Sequence, residues 1–227
     1  TKNIPHRFSI GYTDQNGIIK TSNMQRVTAS INLNPSFLDK HLVFNLNAKG
    51  MYIYNRYAPG VTGAAIAYDP TVPVKGEATG YLTGTTLGAS QAVLDQIFGG
   101  YFGRTQPATL NDSEWNYQFN TQTAANPANT LAYTNDRAHS GSFVGNIEAD
   151  YKIHGFEDLH IHANFGADYS YGKQNTDIDR LIQDVSNGYY GYTGYTWEKK
   201  YNLSFNAYAQ YYKDFSKDQH FDIMAGG

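Results

Sequence analysis

From Leu159 to Tyr171 every odd position is apolar or aromatic: Leu159, Ile161, Ala163, Phe165, Ala167, Tyr169 and Tyr171. Every even position is polar, charged or glycine: His160, His162, Asn164, Gly166, Asp168 and Ser170. A β-strand sends successive side chains to opposite faces, so this segment has one greasy face and one wet face. Strands of globular proteins average about 5–6 residues, and this one keeps its alternation for thirteen.

The pattern recurs along the chain. Phe8, Ile10 and Tyr12 alternate with Arg7, Ser9 and Gly11, predicting a strand over 6–12. Asn16-Gly17 follows, a strong short-range hairpin signal between alternating runs. The return strand carries Val27, Ala29, Ile31 and Leu33 against Thr28, Ser30 and Asn32. Pro35 ends it, because proline cannot donate to a ladder. Leu42, Phe44, Leu46, Ala48 and Tyr52 mark a strand from His41 to about Tyr54. Alternation resumes at Arg137 with Phe143, Ile147, Ala149, Tyr151 and Ile153 opposite Asn146, Glu148, Asp150 and Lys152. Tyr201, Leu203, Phe205, Ala207, Ala209 and Tyr211 define another strand, and Phe221 to Gly227 begin a last one.

Between these strands the connections are of two kinds. Short turns lie at 34–40, 154–158 and 214–219, each with a Phe followed within three residues by an acid: Phe37, Phe156 and Phe215. Long loops are expected at 58–136 and 172–198, with one short helix over Gln91 to Phe98 capped by Ser90 and stopped by Gly99. The two kinds fall at opposite ends of an antiparallel meander, with the 14–17 hairpin on the long-loop side. The fold class is all-β, a meander of about seven long strands.

The greasy face could meet a protein core or lipid. Tyr201 and Tyr211 point the same way ten residues apart, roughly 33 Å along a strand. Tilted by about 40°, that spans roughly 25 Å, the apolar band between the aromatic girdles of an outer-membrane barrel. Short turns at one end and long loops at the other also fit such a barrel. The competing reading is a soluble secreted β-sandwich binding glycans, since one-sided sheets also alternate. Seven strands do not close a bacterial barrel, which needs an even number from 8 upward. Together with a start at Thr1 and an end inside an alternating stretch, this makes the chain read as a piece of a large transmembrane β-barrel.

Composition narrows the function. The net charge is −3, which gives no general pull toward nucleic acid. There is no cysteine, so disulfides and thiolate metal sites are excluded. No apolar run approaches the roughly 20 residues of a membrane helix. Twenty tyrosines suit boundaries between water and something apolar.

Several segments resemble one family. Ser9 to Ile19, with its Gly11-Tyr12-Thr13-Asp14 core, then Arg26 to Asn34, resemble the early barrel of SusC/RagA-type TonB-dependent transporters of Bacteroidetes outer membranes. Asp69-Pro70-Thr71-Val72-Pro73-Val74 resembles the family's proline pair in the following loop. Asn126-Pro127-Ala128, Arg137 and Gly145-Asn146-Ile147-Glu148-Ala149-Asp150-Tyr151 resemble the start of its next strand. The likeness runs along most of 1–227 in order and is weakest over 80–125 and 172–198. It implies a plugged barrel of the 22-strand class, integral to the outer membrane, importing glycans or peptides under a SusD-like surface lipoprotein. Energy would come through the TonB complex. The family's plug and TonB-contacting segment have no counterpart in these residues. Short turns would be periplasmic and long loops extracellular. No cofactor is implied.

Candidate sites follow from residue type. Trp115, Tyr117 and Phe119 alternate within the first long loop; Tyr189, Tyr190, Tyr192, Tyr195 and Trp197 crowd the second. Aromatic faces stack on sugars and pack on peptides, so Trp115, Tyr117 and the second cluster are candidate ligand or lid contacts. For the second cluster girdle and loop packing is the competing explanation; for Trp115, Tyr117 and Phe119 it is a small extracellular hairpin. Glu148 and Asp150 share the wet face, as glycosidase carboxylates might, but lumen-lining charge explains them. His160 and His162 share that face too, and no third metal ligand is evident from the sequence. Asn175, Asp177 and Asp179 imitate a calcium loop, which fails at Arg180 and Ser186. Gly88 to Ala92 is no nucleophile elbow, because no strand precedes it. No catalytic set emerges, and the chain reads as a non-enzyme.

Overall fold

A computed structural model of the chain describes residues 4–76, 98–103, 123–183, 191–216 and 219–227. The alternating segments pair into one antiparallel sheet. In chain order these are β1 (His6–Asn16), β2 (Asn23–Leu33), β3 (Ser36–Phe37), β4 (Leu42–Tyr57), β5 (Thr134–Lys152), β6 (Leu159–Ile178), β7 (Tyr192–Ser216) and β8 (Gln219–Gly226). Among the described residues two short helices, α1 (Thr62–Ala67) and α2 (Pro127–Tyr133), lie between β4 and β5. The sheet order is β1-β2-β4-β5-β6-β7-β8, with the two-residue β3 pairing β4 off this path. Each long strand pairs with its sequence neighbour, the up-and-down meander expected from the pattern.

The register brings like faces together. One row joins His6, Leu33, Leu46, Ile147, Phe165 and Phe205; the next on that face joins Phe8, Ile31, Ala48, Gly145, Ala167 and Leu203. Between them, on the other face, run Arg7, Asn32, Asn47, Asn146, Gly166 and Ser204. A slip of one residue would turn every apolar side chain to the polar face, so the pattern fixes the register.

The apolar face has no cover. Tyr201, Leu203 and Phe205 are 77%, 68% and 67% exposed, and Phe8 and Ile10 are equally open. Among the described residues the buried hydrophobics are Val61, Val72, Phe98, Phe102 and Ile182, all outside the strands. A soluble sandwich buries one sheet face against another; here no described element forms that second layer. Among the described residues, no helix is long and apolar enough to cross a membrane.

The strands are longer than the apolar pattern. β5, β6 and β7 have 19, 20 and 25 residues, whereas about 9–11 cross a bilayer. The surplus lies at the long-loop end. There the formerly apolar face carries Asp14, Gln25, Tyr54, His139, Lys173 and Trp197, then Asn16, Asn23, Arg56, Arg137, Asn175 and Tyr195. This corrects the expected loop at 172–198: the ladder continues to Ile178 and resumes at Tyr192, leaving a connection of 179–191. Beyond the band the outward face turns polar, so the hydrophobic alternation stops while the backbone pairing does not. The first long connection is likewise shortened, since β4 ends at Tyr57 and β5 begins at Thr134. The 14–17 hairpin widens to a loop of residues 17–22, closed by hydrogen bonds from Gly17 N–H to Ser22 O (3.0 Å) and from Ser22 N–H to Ile19 O (3.2 Å). The helix expected over 91–98 falls outside the described residues except for Phe98.

At the short-turn end one of the turn phenylalanines, Phe156, joins an aromatic row. Phe156 stacks on Tyr211 with ring centres 5.6 Å apart, and Tyr211 meets Phe221 edge-on at 6.1 Å. The first short turn needs three successive left-handed residues, Leu38, Asp39 and Lys40 (φ 52°, 51° and 72°), a conformation unfavourable for side chains with a Cβ. His41 holds it. Its backbone N–H and its Nδ1 both reach Leu38 O, at 3.0 and 2.8 Å, and Nε2 lies 3.2 Å from a Glu157 carboxylate oxygen on the neighbouring turn.

An imidazole that donates from both nitrogens is an imidazolium. The Leu38 carbonyl first, then the Glu157 carboxylate, hold the His41 pKa above its ordinary value. A raised folded-state value means that the link contributes fully below the ordinary histidine pKa and is lost as pH rises through the raised one. Glu157→Gln is expected to bring the His41 pKa back down toward the ordinary range. Histidine-selective NMR titration in detergent micelles reads this, and an unchanged pKa would exclude Glu157 as a contributor.

Candidate functional site

The buried core of this chain sits at the long-loop end, where three side-chain amides knit four segments together. Asn126 begins α2 as its N-cap, with Pro127 in the first helical position, where a missing N–H costs nothing. Its Oδ1 accepts from Ala128 N–H at 3.0 Å, and its Nδ2 donates to Val74 O at 2.8 Å and Phe102 O at 3.1 Å. One turn along α2, Asn129 Nδ2 donates to Leu181 O at 2.9 Å and Phe98 O at 3.1 Å, while its Oδ1 accepts from Gln183 N–H at 2.9 Å. Gln183 closes the ring: Oε1 accepts from Asn126 N–H at 2.8 Å and Nε2 donates to Phe102 O at 2.9 Å.

Asn129 and Gln183 are 0% exposed and Asn126 1%. Buried amides are costly unless paired, and these three use both their donor and their acceptor ends. The ring therefore fixes 68–76, 98–103, α2 and 178–183 relative to one another. Further contacts reinforce it. Gly76 N–H donates to Gly100 O (3.1 Å), Phe102 N–H to Val74 O (3.2 Å) and Asp179 N–H to Tyr133 O (2.9 Å). Lys75 Nζ sits 4.6 Å from the centre of the Tyr101 ring. Gly99 has φ +57°, and a Cβ there would strike the Tyr133 hydroxyl, so no other residue fits. Beside the clasp lies a cavity of about 310 Å³ lined by Ala67, Tyr68, Asp69, Val72, Phe102, Gly103, Thr123 and Ala124.

The aromatic candidates divide. Trp115, Tyr117, Phe119, Tyr189 and Tyr190 lie outside the described residues. Tyr192, Tyr195 and Trp197 stand on β7 rather than on a loop, and all three are exposed. Tyr195 and Trp197 share the outward face with Lys199 and Tyr201; Tyr192 points to the other face, opposite Ile178 and over Gly194. The three do not form one platform. In the same outward rows Tyr52 and Tyr54 flank His139, with the Tyr52 hydroxyl 2.7 Å from His139 Nδ1.

On the polar face Glu148 pairs in register with Asn45 and Asn164, while Asp150 lies against His160 and His162. Asp150 is thus a third potential ligand beside the two histidines, which the sequence reading missed. The signal was available: with β5 and β6 antiparallel across the 154–158 turn, Asp150 falls directly opposite His162. For the clasp, Asn126-Pro127 carried a readable helix start, but nothing in the sequence announced Asn129 or Gln183.

Comparison with known proteins gives these features a context. No family model matches the chain. Over 229 aligned residues covering all of it, the chain is 43% identical to the TonB-dependent receptor SusC of Bacteroides thetaiotaomicron. The whole chain matches barrel sequence of a SusC-type TonB-dependent receptor. It spans 21% of that relative's length. The RagAB peptide importer in its closed-closed state has the same fold over the whole chain, with a TM-score of 0.62 at 16% identity, and the chain covers 22% of it. This likeness places the chain in the bacterial outer membrane.

Proposed function

We propose that this chain forms part of the wall and extracellular surface of an outer-membrane importer for glycans or peptides, driven through TonB and covered by a SusD-like lipoprotein. The observation that carries the proposal is the uncovered apolar band of roughly 25 Å on a sheet whose entire sequence aligns with SusC. The strands supply the wall. The clasped segments 61–76, 98–103, 123–133 and 178–183 form a rigid extracellular cap, and the short turns face the periplasm. The plug and the TonB-contacting segment belong to other parts of the protein. Tyr201 serves the upper aromatic girdle, while Tyr195 and Trp197 above it on β7, with Tyr192, Tyr189, Tyr190, Trp115 and Tyr117, are candidates for substrate or lid contact. No catalytic step is assigned.

Extraction of the tagged native protein from its own outer membrane tests this reading. The expected product is a chain several times the 25.3 kDa of this segment, copurifying with a surface lipoprotein. A soluble species of this segment's size, alone, would overturn the proposal.

A further inference from the structure

Asp150 on β5 and His160 and His162 on β6 face the barrel interior near the short-turn end, one row apart. Asp150 Oδ2 lies 2.9 Å from His162 Nδ1, and Asp150 Oδ1 lies 3.4 Å from His160 Nδ1. One ligand atom from each of the three lies within 4.8 Å of the others. Ligands held tetrahedrally at about 2.0–2.1 Å from a zinc ion sit roughly 3.3 Å apart, a spacing that the two Asp150–histidine distances match.

Two further observations favour an ion over a simple ion pair. His162 Nδ1 is shut off from solvent and, despite its closeness to Asp150, makes no hydrogen bond of acceptable geometry among the described residues. The His162 ring is also held in place: it stacks on Tyr208 with centres 4.5 Å apart and planes 20° apart, and His160 lies nearly parallel to it. The neighbouring Gln210 is already committed to both carboxylate oxygens of Asp222, at 2.9 and 3.0 Å. Lys152, opposite His160, is exposed, so its ammonium can remain in water.

We infer that Asp150, His160 and His162 form a binding site for a divalent transition-metal ion on the inner wall of the barrel. Two imidazoles and one carboxylate suit zinc and its neighbours better than calcium or magnesium, which take oxygen ligands. Three protein ligands leave a position open for water, a transported ligand or another part of the protein. The site ties β5 to β6 independently of substrate.

The test uses the intact transporter, stripped of metal in detergent and equilibrated with zinc chloride. Zinc per chain is read by elemental analysis, and cobalt(II) reports the ligand geometry through its visible spectrum. The parent is expected to keep about one more zinc than the near-isosteric variants His162→Gln, His160→Gln and Asp150→Asn. These are expected to bind about 100-fold more weakly or worse, with the cobalt spectrum lost. Glu148→Gln, two residues along the same face, should retain the metal. Heat-modified mobility on gels verifies that each barrel is folded. Equal zinc and identical cobalt spectra in parent and variants would overturn the site, as would a folded parent that holds no zinc.

Discussion

Phe205→Arg is expected to cost about 2–4 kcal/mol and to prevent assembly of the transporter in the outer membrane. Phe205 sits midway along the apolar band, paired with Phe165 and level with Leu33, Leu46 and Ile147. It is 67% exposed within the chain, so overpacking a core cannot explain a loss. The cost comes from placing a guanidinium where hydrocarbon replaces water, and it should depend on depth. Ile161→Arg, closer to the short-turn girdle, should cost less, because the long side chain can snorkel to the interface. Ser204→Arg, one residue away on the polar face, should be tolerated. Surface labelling and heat-modified mobility of the three variants give the answer. Equal assembly of Phe205→Arg and Ser204→Arg would show that the face assignment is wrong.

Asn129→Leu should loosen the cap while leaving the barrel intact. The substitution keeps the branching and heavy-atom count of the side chain but removes the partners of Phe98 O, Leu181 O and Gln183 N–H. Each orphaned group costs about 1–3 kcal/mol, so the local loss should be several-fold larger than for a typical exposed substitution. Because the amide ring joins segments far apart in the chain, the effect should appear as faster amide exchange in all of 68–76, 98–103, 126–133 and 178–183. The strand amides should stay protected. If exchange rose only around Asn129 itself, the ring would not be a cooperative unit. Uptake and lipoprotein capture in the same variant then show whether the rigid cap serves the proposed transport.

The two predictions rest on different kinds of information. Phe205 could be chosen from sequence, because period-two alternation assigns faces wherever one face meets lipid and the other water. The same logic located the meander and the two classes of connection. It failed at Lys173, Asn175 and Asp177, and again from Tyr192 to Lys199. These residues are paired in long strands, yet both of their faces are wet, so the chain carries no hydrophobic period to read. The failure is informative: it marks the height at which the outward face turns from apolar to polar.

The candidate sites were less legible. Tyr192, Tyr195 and Trp197 looked like one aromatic cluster because they are close in sequence, and strand geometry sends Tyr192 to the opposite face from the other two. Asp150 and His162 lie twelve positions apart, and only the register across the 154–158 turn sets them side by side.

Sequence alone determined the strands, their faces, the order of the meander and the resemblance to SusC-type barrels. These depend on local periodicity and nearest-neighbour pairing, which the chain encodes residue by residue. Tertiary structure decided where the strands end, how Asn126, Asn129 and Gln183 close a ring across more than a hundred residues of chain, and which polar residues meet on the inner wall. Those features are pairings between distant segments, and polar side chains declare no partner until the backbone has brought one within hydrogen-bonding reach.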